Sequence, residues 1–129
     1  MLVSFAILLC ACRERFPQEK DDAAVVPTIA PIGPEARKEA NDIFAARCGT
    51  CHGQTGEGNG PASSGLNPKP RNFHDKAWQA SVGDEHIQKI IQYGGAAVGK
   101  SPAMPANPDL LGKPEVVAGL RDHIRGLGK

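Results

Sequence analysis

The feature that most constrains this chain is the pentapeptide Cys48-Gly49-Thr50-Cys51-His52. Two thiols stand three positions apart, and an imidazole directly follows the second. This spacing lets both thiols add to the two vinyl groups of one haem while the histidine presents a ring nitrogen to the iron. The pentapeptide therefore predicts one covalently attached c-type haem, bound through Cys48 and Cys51, with His52 as an axial ligand.

Two other readings of the cysteine pair each require features elsewhere in the chain. A structural zinc site needs two further ligands at similar spacing, yet the other cysteines, Cys10 and Cys12, lie in an apolar N-terminal run. A thioredoxin-like redox pair belongs in a βαβ context, and the sequence has no such pattern. Haem attachment is therefore the preferred interpretation.

The composition also favours a cofactor-filled domain. The chain has 129 residues, enough for one domain, but only 5% are aromatic, which is low for a self-sufficient core. A haem packed on both faces would supply the missing apolar surface. The 15 glycines and 11 prolines indicate long irregular loops, and a formal net charge of +1 gives no sign of nucleic-acid binding.

Residues 1–11 have the features of a signal segment. Leu2 to Ala11 is apolar, too short to span a bilayer and about as long as a signal-peptide core. The run that ends in Cys12 resembles a bacterial lipoprotein signal, which would make Cys12 the lipid-bearing first residue of the mature protein. An ordinary cleaved signal or a short uncleaved anchor is the alternative. We expect export to the periplasmic side and a tether to the membrane through the N-terminal lipid or anchor.

Residues 12–34 are interpreted as a flexible tether. They combine charged residues, Ala and Val with the prolines Pro17, Pro27, Pro31 and Pro34, and they show no sustained periodicity. A flexible chain of this length reaches roughly 25 Å, so the following domain could reorient near a membrane. A tail that packs on the domain is the alternative.

Proline, glycine and apolar spacing predict four helices. The first begins at Pro34 and runs into Cys48, and the last extends from Pro114 to Leu127 with an apolar face. Between them, a short helix is predicted for residues 76–81. A longer helix is predicted from Asp84 to the Gly94-Gly95 pair, which would end it.

The loops between the helices offer groups that could orient a ligand. The glycine-rich run 53–61 lacks the Gly-Lys-Ser/Thr ending and the preceding strand of a phosphate loop. A metal-bound histidine usually donates its second ring N–H to a carbonyl, and we expect the carbonyl of Pro61 or Pro68 to hold His52 in this way. Arg71 and Trp78 are candidate partners of haem propionates, although Arg71 could be solvent-exposed and Trp78 a plain core residue.

The second candidate iron ligand is Met104, in the segment Ser101-Pro102-Ala103-Met104-Pro105-Ala106. A thioether is a soft iron ligand that raises the potential of a His-ligated haem, and the flanking prolines fix the loop that carries it. The competing candidates are His74, His86 and His123. We expect these histidines to be structural or exposed, with His86 on the polar side of its helix.

Together these features resemble a class I c-type cytochrome, of the small monohaem bacterial kind, over residues 35–129. The resemblance implies an all-α cytochrome c fold of three to five helices around one haem c. It implies an electron-transfer protein and not an enzyme, with redox partner proteins bound transiently. Ala40 stands where the family often has Gly at the crossing of the first and last helices, and His123 where it often has an aromatic residue. We therefore expect a slightly wider, weaker crossing.

Two other functions remain open at this level. One is a haem-based sensor or enzyme module in which Met104 dissociates and a small ligand binds. The other is a haem subunit of a larger respiratory complex.

Overall fold

A computed structural model describes residues 31–129. The predicted signal segment 1–11, Cys12 and the predicted tether up to residue 30 lie outside the described residues. Within 31–129 the chain forms helices, short turns and loops and no strand, so the predicted all-α fold is confirmed. No helix in this part of the chain is long and apolar enough to cross a bilayer.

Helix boundaries follow the proline and glycine signals closely. The α-helical segments of the described residues are α1 (Pro34–Ile43), α2 (Gly49–His52), α3 (Lys76–Ser81), α4 (Asp84–Tyr93) and α5 (Pro114–Leu127). A π-helical segment, Phe44–Cys48, joins α1 to α2 without a break. Single 3-10 turns occupy Pro61–Ser63, Ala96–Val98 and Pro108–Leu110. The first helix therefore runs through the whole pentapeptide, further than the sequence predicts.

The core lies between α1, α4 and α5. Its fully buried large side chains are Phe44, Ile87, Leu110 and Leu120. Each comes from a different part of the chain, so burying them closes the fold around the middle of the molecule.

The crossing of α1 and α5 is built on a small-residue pair. Ala40 is fully buried, and Gly119 faces it so closely that a Cβ on Gly119 would lie 2.9 Å from the Ala40 Cβ. The space that the family often obtains from a glycine on the first helix is here supplied by α5. The reason for expecting a wider crossing is therefore removed.

His123 completes this crossing. Its ring centroid lies 4.1 Å from that of Phe44, and its Nδ1 lies 3.0 Å from Asn41 Oδ1. Nε2 is buried without a hydrogen-bond partner among residues 31–129. Burial lowers the pKa of His123, because an imidazolium would place a second, unpaired N–H in the interior.

This histidine should make the protein less stable in mild acid. In the unfolded chain His123 titrates near its ordinary pKa of about 6.5, so below that pH the unfolded state binds more protons than the folded state. Its contribution to stability is therefore complete above about pH 6.5 and declines as the pH falls. Denaturant titrations of the haem-loaded protein give the free energy of unfolding near pH 7.5 and near pH 5. This free energy should fall less between the two pH values in His123→Phe than in the wild type. Equal losses would contradict this assignment.

A polar network holds α3 against α5. Arg125 Nη1 donates to the Gln79 carbonyl at 2.7 Å and Nη2 to the Val82 carbonyl at 2.6 Å. In return, Gln79 Nε2 donates to the Ile124 carbonyl at 2.9 Å. These bonds satisfy carbonyls at the end of α3, and they fix the helix that carries Trp78.

Candidate functional site

The pentapeptide lies where the π-helical segment passes into α2. The N–H of Gly49 donates to the Phe44 carbonyl, and the carbonyl of Ala45 accepts from Gln54 Nε2 at 2.9 Å. Gly53, at φ +81°, then ends α2 in a conformation that other residues rarely adopt. Cys48 and Cys51 are half-buried as a result, and His52 is buried.

His52 is oriented by a backbone carbonyl, but not by a proline. Its Nδ1 lies 3.0 Å from the Arg71 carbonyl oxygen. A carbonyl only accepts, so Nδ1 carries the hydrogen and Nε2 keeps the lone pair that a metal needs. The prediction that Pro61 or Pro68 would hold this ring is wrong.

The physical reason is the way in which the segment before Phe73 is anchored. The N–H of Phe73 donates to the Gly56 carbonyl at 2.7 Å, which brings the Arg71 backbone over the histidine. The Phe73 ring then stacks on the His52 ring, with centroids 4.5 Å and planes 14° apart. Burial lowers the pKa of His52, against the opposing effect of the bond to Arg71, and so favours the neutral, ligating form.

The predicted haem-binding side chains meet in one cavity of about 550 Å³. This volume is typical of cofactor sites. Cys48, Cys51, His52 and Met104 all line it, although Met104 is distant in sequence. Apolar side chains from α4, α5 and the α3–α4 junction complete the wall: Val82, Ile87, Ile90, Ile91 and Ile124.

The loop that carries Met104 folds back onto the end of α4. The N–H of Gly95 donates to the Met104 carbonyl at 3.0 Å, and the N–H of Met104 donates to the Ser101 carbonyl at 3.2 Å. Gly94, at φ +78°, lies so close to this loop that a Cβ would stand 2.8 Å from the Met104 oxygen. The double glycine therefore both ends α4 and seats the methionine.

The remaining predicted site residues divide between the cavity and the surface. Pro68, Arg71 and Trp78 line the cavity, whereas Pro61 does not and is exposed. The Trp78 ring also packs on Phe73, with centroids 5.6 Å apart, and the Arg71 guanidinium carbon lies 5.7 Å from the Trp78 centroid. Trp78 thus contacts the core and the cavity at once.

The histidines are not all where the sequence suggests. His74 Nε2 lies 2.8 Å from the Thr55 carbonyl, outside the cavity, and His123 is in the helix crossing. His86, however, lines the cavity together with Gly83 and Ile90. The prediction that His86 lies on the polar side of α4 is wrong, because the residues one turn before and after it face the same space.

The zinc reading finds no support in the described residues. Within 31–129 no group of three or more His, Cys, Asp or Glu side chains is arranged to hold a metal ion. Burial raises the pKa of Cys48 to about 11, with Arg47 opposing the shift. Burial therefore favours the protonated form of this thiol.

The residues present fit a covalently bound haem. Two half-buried thiols, an imidazole with a fixed free nitrogen and a thioether surround one apolar space. Cations at its edge could pair with the carboxylates of the cofactor: Arg47, Lys69, Arg71 and Lys100.

Comparison with known proteins agrees with this geometry. A family model described as "Cytochrome C oxidase, cbb3-type, subunit III" matches residues 35–124, a range that includes the pentapeptide and Met104. The chain belongs to this family. It is therefore a c-type cytochrome that carries covalently bound haem c and takes part in haem-based electron transfer. No curated protein matches this cytochrome.

Several residues of the cytochrome's site were not found by sequence reasoning. Two of them lie in loops without periodicity: Phe73, which stacks on His52, and Gln54, which donates to the Ala45 carbonyl in the π-helical segment. Arg47 contacts Asn107 and Asp109, about sixty positions downstream. Only its place beside Cys48 could have drawn attention to it.

Proposed function

We propose that this cytochrome is a one-electron carrier between periplasmic or membrane redox partners, with its haem bound through Cys48 and Cys51 and its iron ligated by His52 and Met104. One observation carries the proposal: these four side chains line a single cavity. When bound, haem supplies an iron that gains and loses one electron.

The chain's own part is to hold the two ligands in place. Arg71 fixes the His52 ring through Nδ1, and Gly95 fixes the Met104 backbone. If both side chains ligate the iron, no iron position would remain for a substrate, so the proposal is electron transfer without catalysis. Both ligands would need little movement on electron transfer, because His52 ends α2 and the Met104 loop is hydrogen-bonded to Gly95 at the end of α4.

The test is the spectrum of the wild-type protein, produced with a haem-attachment system. We expect one haem that remains bound after denaturation, a sulfur-to-iron charge-transfer band in the ferric state, and no carbon monoxide binding in the reduced state. Absence of the band together with carbon monoxide binding would overturn the proposal in favour of a sensor or enzyme module with a labile Met104.

A second candidate function is that of a relay subunit in a larger respiratory complex. The description of the matching family names an oxidase subunit, which favours this candidate. Solubilisation from native membranes followed by size separation distinguishes the two. A free carrier migrates alone, whereas a subunit migrates with its complex.

For docking, we propose an acidic partner surface. The charged residues that line the cavity are all basic, and Lys69 and Lys100 form no ion pair among residues 31–129. Two other lysines, Lys76 and Lys89, do not line the cavity, and Lys76 Nζ donates to the Gly128 carbonyl at 2.6 Å. A one-sided field of this kind steers transient encounters.

Charge reversal at these lysines should change electron-transfer rates with small charged reagents. In Lys69→Glu/Lys100→Glu we expect reduction of ferricyanide, an anion, to slow about tenfold at low salt, since steering contributes on the order of 10 to 10³ in rate. Reaction with a cationic ruthenium ammine should become faster. The control Lys89→Glu/Lys76→Glu alters net charge equally away from the cavity. Equal slowing in both double variants would contradict a localised docking surface.

The proposed location is the periplasmic side of the membrane. Cytochromes of the c type are exported from the cytoplasm, and the tethering segment lies outside the described residues. If Cys12 carries lipid, Cys12→Ser should move the haem from the membrane fraction to the soluble fraction, because a lipid anchor depends on that thiol. An unchanged distribution would favour a cleaved signal or an apolar anchor. Cys10→Ser is the matched control.

A further inference from the structure

The residue before the haem-attachment cysteines is tied to the segment that follows Met104. Arg47 Nη1 lies 2.9 Å and 3.0 Å from the two carboxylate oxygens of Asp109. It also lies 3.4 Å from Asn107 Oδ1. Arg47 lies in the π-helical segment directly before Cys48, and Asn107 follows Met104 after only Pro105 and Ala106. The contact therefore joins the two parts of the chain that carry the proposed axial ligands.

Asn107 is the junction of this contact. Its Nδ2 donates to the Ile91 carbonyl at 2.8 Å, and its backbone N–H donates to the Gln92 carbonyl at 3.0 Å. Its Oδ1 is thereby turned toward Arg47. The carbonyls at the end of α4, which have no partner within the helix, are satisfied in the same arrangement.

The Met104 loop consequently has two anchors. The first is the bond from the Gly95 N–H to the Met104 carbonyl. The second is the group formed by Asn107, Asp109 and Arg47. Pro105, with its fixed φ, lies between Met104 and the second anchor, so a displacement of Asn107 is passed on to Met104 with little chain freedom to absorb it.

We infer that Arg47, Asn107 and Asp109 form a latch that holds the Met104 loop against the haem-attachment segment and limits dissociation of the methionine. The inference rests on the proposed function, in which Met104 is the sixth ligand. Arg47 and Asp109 are positioning residues, since they act through the loop and do not ligate the iron. Both side chains are 49% exposed, so the latch should contribute little to global stability and act mainly on the local opening of the loop.

The test measures how fast imidazole replaces the methionine in the ferric protein near pH 8. Imidazole is mostly neutral there, so a change in surface charge does not alter its approach. At saturating imidazole the rate reports opening of the loop. We expect this rate to rise about two- to fivefold in Arg47→Gln and in Asp109→Asn, as loss of an exposed ion pair worth up to about 1 kcal/mol allows. The double variant should open no faster than the faster single variant, because both substitutions break one latch.

A matched control comes from another exposed ion pair. Lys113 Nζ and Glu39 Oε1 are 2.6 Å apart, and their side chains are 47% and 42% exposed. The pair links α1 to the start of α5 without contacting the Met104 loop. In Lys113→Gln the imidazole rate should stay at the wild-type value. The denaturation midpoints of all variants should remain close together, which separates a local effect from a general loss of structure.

Three results would overturn the latch. Equal imidazole rates in Arg47→Gln, Lys113→Gln and the wild type would show that the contact does not hold the loop. Faster exchange in Arg47→Gln but not in Asp109→Asn would show that Arg47 acts through the cavity. A wild-type protein without the sulfur-to-iron band would overturn the proposed ligation itself, and the latch with it, so the two failures are distinguishable.

Discussion

Replacement of Met104 by alanine is expected to abolish the sulfur-to-iron charge-transfer band and to let carbon monoxide bind the reduced protein. The side chain lines the cavity that contains His52, and alanine offers no ligand atom. The midpoint potential should fall by on the order of 0.1 V, because a methionine ligand raises the potential and axial ligands together set haem potentials over about 0.8 V. Visible and near-infrared spectroscopy with a redox titration measures all three changes.

His86 makes a second variant necessary. It lines the same cavity, and a histidine there could replace a missing methionine. Met104→Ala/His86→Ala should therefore bind carbon monoxide even if Met104→Ala does not. His86→Ala alone should keep the charge-transfer band. A wild-type band that disappears in His86→Ala and persists in Met104→Ala would contradict the assignment of Met104.

Substitution of Gly119 by valine should cause a large loss of folding stability, although it alters no cavity-lining residue and no surface charge. A Cβ at this position lies 2.9 Å from the Ala40 Cβ, and two backbone-attached carbons cannot move apart without moving the helices. Overpacking of this kind typically costs 1–3 kcal/mol. Valine adds two methyl groups beyond Cβ, so we expect a loss of about 3 kcal/mol. Denaturant unfolding of the haem-loaded protein gives the value.

Two companion variants test the cause of that loss. Gly126, on the same helix, has open space around its Cβ position, so Gly126→Ala should be neutral or stabilising by up to about 1 kcal/mol, the difference in helix propensity. Ala40→Gly should recover most of what Gly119→Ala loses, because the methyl group then moves from one helix to the other. If Gly119→Ala is as harmless as Gly126→Ala, the close crossing does not limit stability.

Local chemistry allowed much of this fold to be predicted from sequence. Pro34 and Pro114 begin α1 and α5, and Gly94 ends α4, as expected from the fixed φ of proline and the freedom of glycine. The pentapeptide acts within a few residues, so its meaning is also readable from spacing. These signals depend on neighbours along the chain and not on the tertiary arrangement.

The parts that could not be predicted depend on contacts between distant segments. Any carbonyl near His52 could have oriented it, and only the anchoring of Phe73 on Gly56 selects Arg71. Likewise, the sequence does not reveal that Gly119 makes room for a helix crossing, because this requires knowing that Ala40 lies opposite it. Periodicity assigns a face to a helix but does not tell which loop that face will meet.

The π-helical segment has one more consequence, for tolerance of deletions. Buried positions along this helix are Ala40, Phe44, Gly49 and His52, and the step from Phe44 to Gly49 is one residue longer than a regular turn. The extra residue rotates the part of the helix that follows it by about 100° relative to a regular α-helix. The part before it packs on α5, and the part after it faces the cavity. Deleting Ala46 would leave a regular α-helix with every cofactor-binding residue intact. Yet it would swing Cys51 and His52 about 100° around the axis, away from the cavity. The number of residues between Phe44 and the pentapeptide is therefore as strongly constrained as the pentapeptide itself.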